Sequence, residues 1–130
     1  MSKGKTILVV DDEPEVLNVL TNMVRSAGYN VIPLGDAGSL LKAIREGTKV
    51  DLVITDLVMP GMDGSELAEV IRKTLPDVPV ILLTGHGSVE TYIKTRSNGV
   101  FEYINKPVRS QELCRIVQAA IGGPSTPIPK

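Results

Sequence analysis

Five short apolar runs, separated by longer stretches of helical period, constrain this chain more than any other feature of it. They fall at residues 6–10, 30–34, 50–55, 78–84 and 101–105. The first four are rich in Val and Ile and too short for helices. They lack the polar-apolar alternation of a strand with one wet face, so they read as strands buried on both sides. The fifth, Phe101-Glu102-Tyr103-Ile104, is more mixed.

The stretches between them repeat apolar residues at three- and four-residue steps. In the first, Val16, Leu17, Val19, Leu20, Met23, Val24 and Ala27 form the face, with Pro14 suited to a first turn and Gly28 to a stop. The second carries Leu40, Leu41 and Ile44 and stops near Gly47; the third carries Leu67, Val70, Ile71 and Leu75 and ends before Pro76. Asp63-Gly64-Ser65-Glu66 has the spacing of a capping box at its start. The fourth, 88–98, offers only Val89, Tyr92 and Ile93 and is the least committed to helix. The fifth carries Leu113, Ile116, Val117 and Ala120, and Gly122-Gly123 ends it. Strands alternating with helices predict an α/β fold: a parallel sheet with helices on both faces, joined by right-handed crossovers.

A chain of 130 residues suits one such domain. Residues 1–121 are expected to form it, and the Gly- and Pro-rich stretch 122–130 reads as a tail or a linker cut short. Aromatic residues are only 3% of the chain, so aliphatic side chains must fill the core. With 14 basic and 15 acidic residues there is no basic excess to grip nucleic acid. Cys114 is the single cysteine and makes no internal disulfide, which fits a reducing compartment. No apolar run reaches the length of a membrane span, and the N-terminal one stops at Asp11-Asp12. A cytoplasmic protein, bound to neither membrane nor nucleic acid, is expected.

Open parallel sheets bind ligands at the carboxyl ends of their strands. Asp11-Asp12 follow the first strand, Asp56 the third, Thr84-Gly85 the fourth and Lys106-Pro107 the fifth. Three carboxylates on one rim repel one another, and two cations relieve that: Lys106 and a bound divalent metal. Oxygen donors at an open rim suit Mg²⁺, and there is no His or Cys pair to suggest zinc. A carboxylate beside Mg²⁺, an ammonium and a hydroxyl is equipped to attack phosphorus and form an acyl phosphate.

These strings carry a family resemblance. Ile7-Leu8-Val9-Val10-Asp11-Asp12-Glu13-Pro14 resembles the first strand and acid pair of response regulator receiver domains. Asp56-Leu57-Val58-Met59-Pro60-Gly61-Met62-Asp63-Gly64 is similar to their phosphoacceptor loop. Leu83-Thr84-Gly85 and Tyr103-Ile104-Asn105-Lys106-Pro107 resemble the switch threonine, switch aromatic and lysine. The resemblance covers about residues 5–121. It implies the flavodoxin-like fold of five strands in the order 2-1-3-4-5. It implies that Asp56 takes a phosphoryl group from the phosphohistidine of a sensor kinase or a histidine phosphotransfer protein. It also implies that Asp12 is a direct Mg²⁺ ligand, that Asp11 acts largely through water, and that the Val58 carbonyl is the main-chain ligand. Lys106 would pair with the acceptor and then the phosphate, before a cis Pro107. Thr84 would move toward the phosphate, Tyr103 would follow inward, and Val58, Gly85 and His86 would tune the lifetime of the phosphoryl group. The face of segment 88–98, the fifth strand and the fifth helix would then meet an effector protein or domain, or a second receiver.

Plainer readings stand beside these. Asp11 is also placed to cap a helix, Asp63 most simply is a cap, Tyr103 also reads as a half-buried aromatic on an edge strand, and Cys114 as a packed helix residue. Two other functions use related parts. A haloacid-dehalogenase-like phosphatase places its nucleophile on the first strand in a D-x-D pattern followed by a hydroxyl residue, which Asp11-Asp12-Glu13-Pro14-Glu15 lacks. A flavodoxin-like binding module needs a Ser/Thr/Gly-rich phosphate loop there, where this chain has two aspartates.

Overall fold

The computed structural model describes residues 4–56, 58–59, 62–84 and 100–121. In chain order these form β1 (Thr6–Val10), α1 (Pro14–Ser26), β2 (Asn30–Leu34), α2 (Ala37–Arg45) and β3 (Leu52–Asp56). An antiparallel ribbon then pairs 58–59 with 62–63. It is followed by α3 (Gly64–Thr74), β4 (Val80–Thr84), β5 (Val100–Asn105) and a helix over Ser110–Ile121. The five long strands make one sheet in the order β2-β1-β3-β4-β5, every neighbouring pair parallel. The expected strand order and the α/β class are both met. The fourth expected helix, 88–98, and the tail, 122–130, lie outside the described residues.

Side chains on a strand alternate between the two faces of the sheet. Ile7, Val9, Leu52, Ile54, Ile81, Leu83 and Ile104 therefore share one face, where Leu20 and Val24 of α1 and Leu113 and Val117 of the 110–121 helix cover them. Leu8, Val10, Val53, Val80 and Leu82 share the other, against Leu40 and Ile44 of α2 and Leu67 and Ile71 of α3. These cores are almost wholly aliphatic, and each fully buried Leu, Ile or Val contributes roughly 1.5–3 kcal/mol. Ile54→Ala, in the middle of the central strand, would cost about 2–5 kcal/mol. The same alternation, carried past the strand ends, puts Asp11, Asp56 and Lys106 on the α1 side of the sheet.

Two strands begin later than the apolar runs imply. Val50 and Val78 pack against the core without joining the ladder. Pro79 has no N–H to give, and only its carbonyl takes part, accepting from the Val53 amide at 3.1 Å. The Asp51 carboxylate accepts the Thr6 amide at 2.8 Å just before β3 begins. At its other end β3 extends through Asp56, so the proposed acceptor is the last residue of the central strand.

The first two helices, α1 and α2, end as their glycines imply. Gly28 follows α1 at φ 101°, with its amide on the Arg25 carbonyl, and Gly47 follows α2 at φ 84°. Both conformations are open to glycine at little cost. Asp36 starts α2 by accepting the Ser39 amide at 2.6 Å. That amide holds the Asp36 carboxyl below its ordinary range. Among the described residues no helix is long and apolar enough to cross a membrane.

Candidate functional site

The site stands where β1, β3 and β5 end. Asp11 directly follows β1 and is wholly buried; Asp12 beside it is exposed. The Asp11 carboxylate accepts the Glu13 amide at 2.9 Å, a side-chain turn that leads the chain into α1. Glu13 itself supplies no side-chain cap. The capping reading of Asp11 is thus true as far as it goes, and its second oxygen does something else: Asp11 Oδ2 lies 3.4 Å from Lys106 Nζ. Lys106 Nζ also donates to Asp56 Oδ2 at 3.0 Å. Asp56 is buried at the end of β3.

One oxygen from each of Asp11, Asp12 and Asp56 lies within 4.8 Å of the others. Burial pushes the Asp11 carboxyl up, with a smaller push from the charge of Asp56; the Glu13 amide and Lys106 pull it back without cancelling the rise. For Lys106 burial alone would lower the ammonium, but its bonds and attraction to Asp56 and Asp11 outweigh that and raise it. The cluster thus holds more negative charge than one ammonium offsets. An oxygen-only set of this kind, open on one side through Asp12, fits a hard cation such as Mg²⁺.

Thr84 is buried at the end of β4, and its carbonyl accepts the Lys106 amide at 2.8 Å, tying the ends of β4 and β5 together. The Lys106–Pro107 peptide is cis, as the resemblance implies. Tyr103 is partly buried and packs against the core on the α2 and α3 side. The structure therefore brings together Asp11, Asp12, Asp56 and Lys106, and places Thr84 at the neighbouring strand end. Gly85, His86 and the side chains of Val58 and Asp63 lie outside the described residues.

Two features went unread in the sequence. One is an apolar depression of about 620 Å³ beside the site, lined by Val16, Val19, Leu20, Met23, Lys106, Pro107 and Val108, among others. Val19 is 51% exposed at this surface. Its signal was there: α1 carries more apolar positions than one buried stripe can use. The other is Thr55, a buried hydroxyl next to Asp56.

The sequence profile of the response regulator receiver domain family matches residues 7–118. A two-component response regulator of rice (Oryza sativa subsp. indica), ORR24, is 40% identical over 119 residues, covering 91% of this chain and 19% of that protein. The transcriptional regulatory protein GlrR of Escherichia coli (strain K12) is 38% identical over 119 residues, covering 92% of this chain and 27% of that protein. The chain thus spans less than a third of the length of these relatives. Among solved structures, a response regulator receiver domain from Clostridium thermocellum superposes with a TM-score of 0.86 at 34% identity, covering 91% of this chain and 94% of that one. The response regulator TrrA from Thermotoga maritima, in complex with Mg²⁺-BeF, gives a TM-score of 0.80 at 34% identity, covering 89% and 98%.

Proposed function

Because this chain belongs to the response regulator receiver domain family, we propose that its chemical act is to accept a phosphoryl group on Asp56. The observation that carries the reading is the convergence of Asp11, Asp12 and Asp56 with Lys106 at the strand ends. This arrangement and the family favour the receiver over a haloacid-dehalogenase-like phosphatase or a flavodoxin-like module.

Asp11, Asp12, Asp56 and the Val58 carbonyl would hold Mg²⁺, which supplies positive charge to the phosphoryl oxygens. The Asp56 carboxylate oxygen forms the new O–P bond as the P–N bond of a donor phosphohistidine breaks, and the imidazole leaves with its electron pair. Lys106 starts on the carboxylate and stays beside the oxygens as their charge grows, so no new cation has to be recruited. A phosphoryl group brings about -1.5 to -2 charge and three strong acceptors. The Thr84 hydroxyl is the nearby donor for one of them. Its movement, followed by Tyr103, is the proposed link to the face of segment 88–98, β5 and the 110–121 helix, where an effector or a second receiver docks. Gly85 and His86 are the proposed tuning positions beside Thr84, with Val58 beside Asp56.

The donor is a sensor histidine kinase or a histidine phosphotransfer protein. The apolar depression between α1 and residues 106–108, next to the acid cluster, is its proposed footing. An NMR titration with Mg²⁺ and beryllofluoride tests the site as a whole. Saturable shifts at Asp56, Thr84 and Lys106 that require both reagents are expected; shifts that ignore Mg²⁺ or spare these residues would contradict the reading.

A further inference from the structure

We infer that Thr55 is a positioning residue for the acceptor. This rests on the reading of Asp56 as the phosphorylated residue and extends it to a side chain that never meets the phosphoryl group. β3 reads Leu52-Val53-Ile54-Thr55-Asp56, and the four residues before Asp56 are completely buried. Across the sheet Thr55 pairs with Val10 of β1 on one side and Leu82 of β4 on the other. Both neighbours belong to the aliphatic core on the α2 and α3 side. Valine has the same shape, fits a central strand at least as well, and carries no hydroxyl to strip of water. Among the described residues the hydroxyl makes one hydrogen bond: it donates to the carbonyl oxygen of Asp56 at 3.2 Å, in the buried interior.

That bond acts on the main chain where it leaves the sheet. The ribbon at 58–59 begins two residues further on, and the Val58 carbonyl is the proposed main-chain ligand for Mg²⁺. Alternation points the Thr55 side chain to the face opposite the Asp56 carboxylate. Thr55 therefore works from behind, fixing the direction in which the chain departs. Through that it sets how the carboxylate and the Val58 carbonyl face the same cation. Sites of this kind lose rate when their supporting bonds go, because the reacting groups must be held closely in place.

The test measures phosphorylation of Asp56 by acetyl phosphate, per folded molecule, together with the Mg²⁺ concentration giving half-maximal rate and the melting temperature in EDTA. Thr55→Val keeps shape and removes the hydroxyl; Thr55→Ser and Thr55→Ala both remove the methyl and differ only in the hydroxyl. Thr55→Val is expected to slow phosphorylation or raise the Mg²⁺ midpoint about two- to tenfold, the weight of one net hydrogen bond. Its melting temperature should not fall. Thr55→Ser should stay within about twofold of wild type and Thr55→Ala should not. A merely structural hydroxyl would move the melting temperature and leave rate and midpoint alone, and that result would overturn the inference, as would Thr55→Ser falling as far as Thr55→Ala. A wild-type chain that takes no phosphoryl group at Asp56 would overturn the acceptor reading and the role of Thr55 with it.

Discussion

Lys106 stands closer to Asp56 than to Asp11, 3.0 Å against 3.4 Å, although Asp11 is the more deeply buried of the two. The ammonium is therefore already placed on the carboxylate proposed as the acceptor. Lys106→Ala removes a charge-assisted bond worth about 1.5–3 kcal/mol. Phosphorylation by acetyl phosphate should slow about ten- to hundredfold, and the phosphorylation-dependent changes in the amide NMR spectrum should largely disappear while the protein remains folded. A variant that retains the full spectral change would remove Lys106 from the switch.

Charge counting alone treats Asp11 and Asp12 alike, since taking out either carboxylate relieves repulsion. Geometry separates them. Two unit charges within 4.8 Å repel by about 1 kcal/mol even in water. Asp12→Ala, at an exposed position, should thus raise the metal-free melting temperature by about 3 °C. Asp11→Ala gives the same relief but loses the bond to the Glu13 amide and strips Lys106 of a partner. It should melt below Asp12→Ala. Thermal melts in EDTA decide this, and equal melting temperatures would mean that the turn into α1 does not depend on Asp11.

The raised carboxyl of Asp11, pushed up first by burial, has a definite consequence with pH. In a window starting at its ordinary value of 3.8, the folded chain keeps a proton that the unfolded chain has released. Metal-free stability is therefore lost as pH rises through that window. Asp11→Asn keeps an acceptor for the Glu13 amide and has no proton to lose. The gap in melting temperature between Asp11→Asn and wild type should widen as pH rises from about 4 and then level off. A gap that stays constant across pH 4–7 would show that burial of Asp11 carries no such cost.

The fold was legible because its three inner strands, β1, β3 and β4, are buried on both faces, whereas the edge strand β2 leaves Asn30 and Pro33 exposed. Apolar runs such as Ile7 to Val10 need no partner information to be recognised, and Pro14, Gly28 and Gly47 mark where helices start and stop. Strand starts were less legible: Val50 and Val78 are apolar for the core yet outside the ladder, and hydropathy does not distinguish the two. The acid cluster was legible because each member follows an apolar run, so topology alone brings the members together. The division of labour inside it was not, since the burial of Asp11 and exposure of Asp12 depend on how the chain turns into α1. Val19 misled for a simpler reason: an apolar residue on a helix looks the same in sequence whether it faces the core or a partner.

Val19 gives the test of where the donor binds. Val19→Asp, on the exposed part of α1, should leave phosphorylation by acetyl phosphate unchanged. It should cut transfer from a phosphorylated histidine domain about tenfold or more, the effect of burying an unpaired charge at a contact. Equal loss with both donors would place the defect in the site, and no loss with either would remove α1 from the docking surface.

The central claim is that Asp56 is the acceptor and that the oxygen cluster around it works with Mg²⁺. Intact-mass spectrometry after incubation with acetyl phosphate tests it most directly. The account predicts a gain of one phosphoryl group that requires Mg²⁺, is suppressed by EDTA and is absent in Asp56→Asn. A gain that persists in Asp56→Asn, or that forms equally well in EDTA, would contradict it.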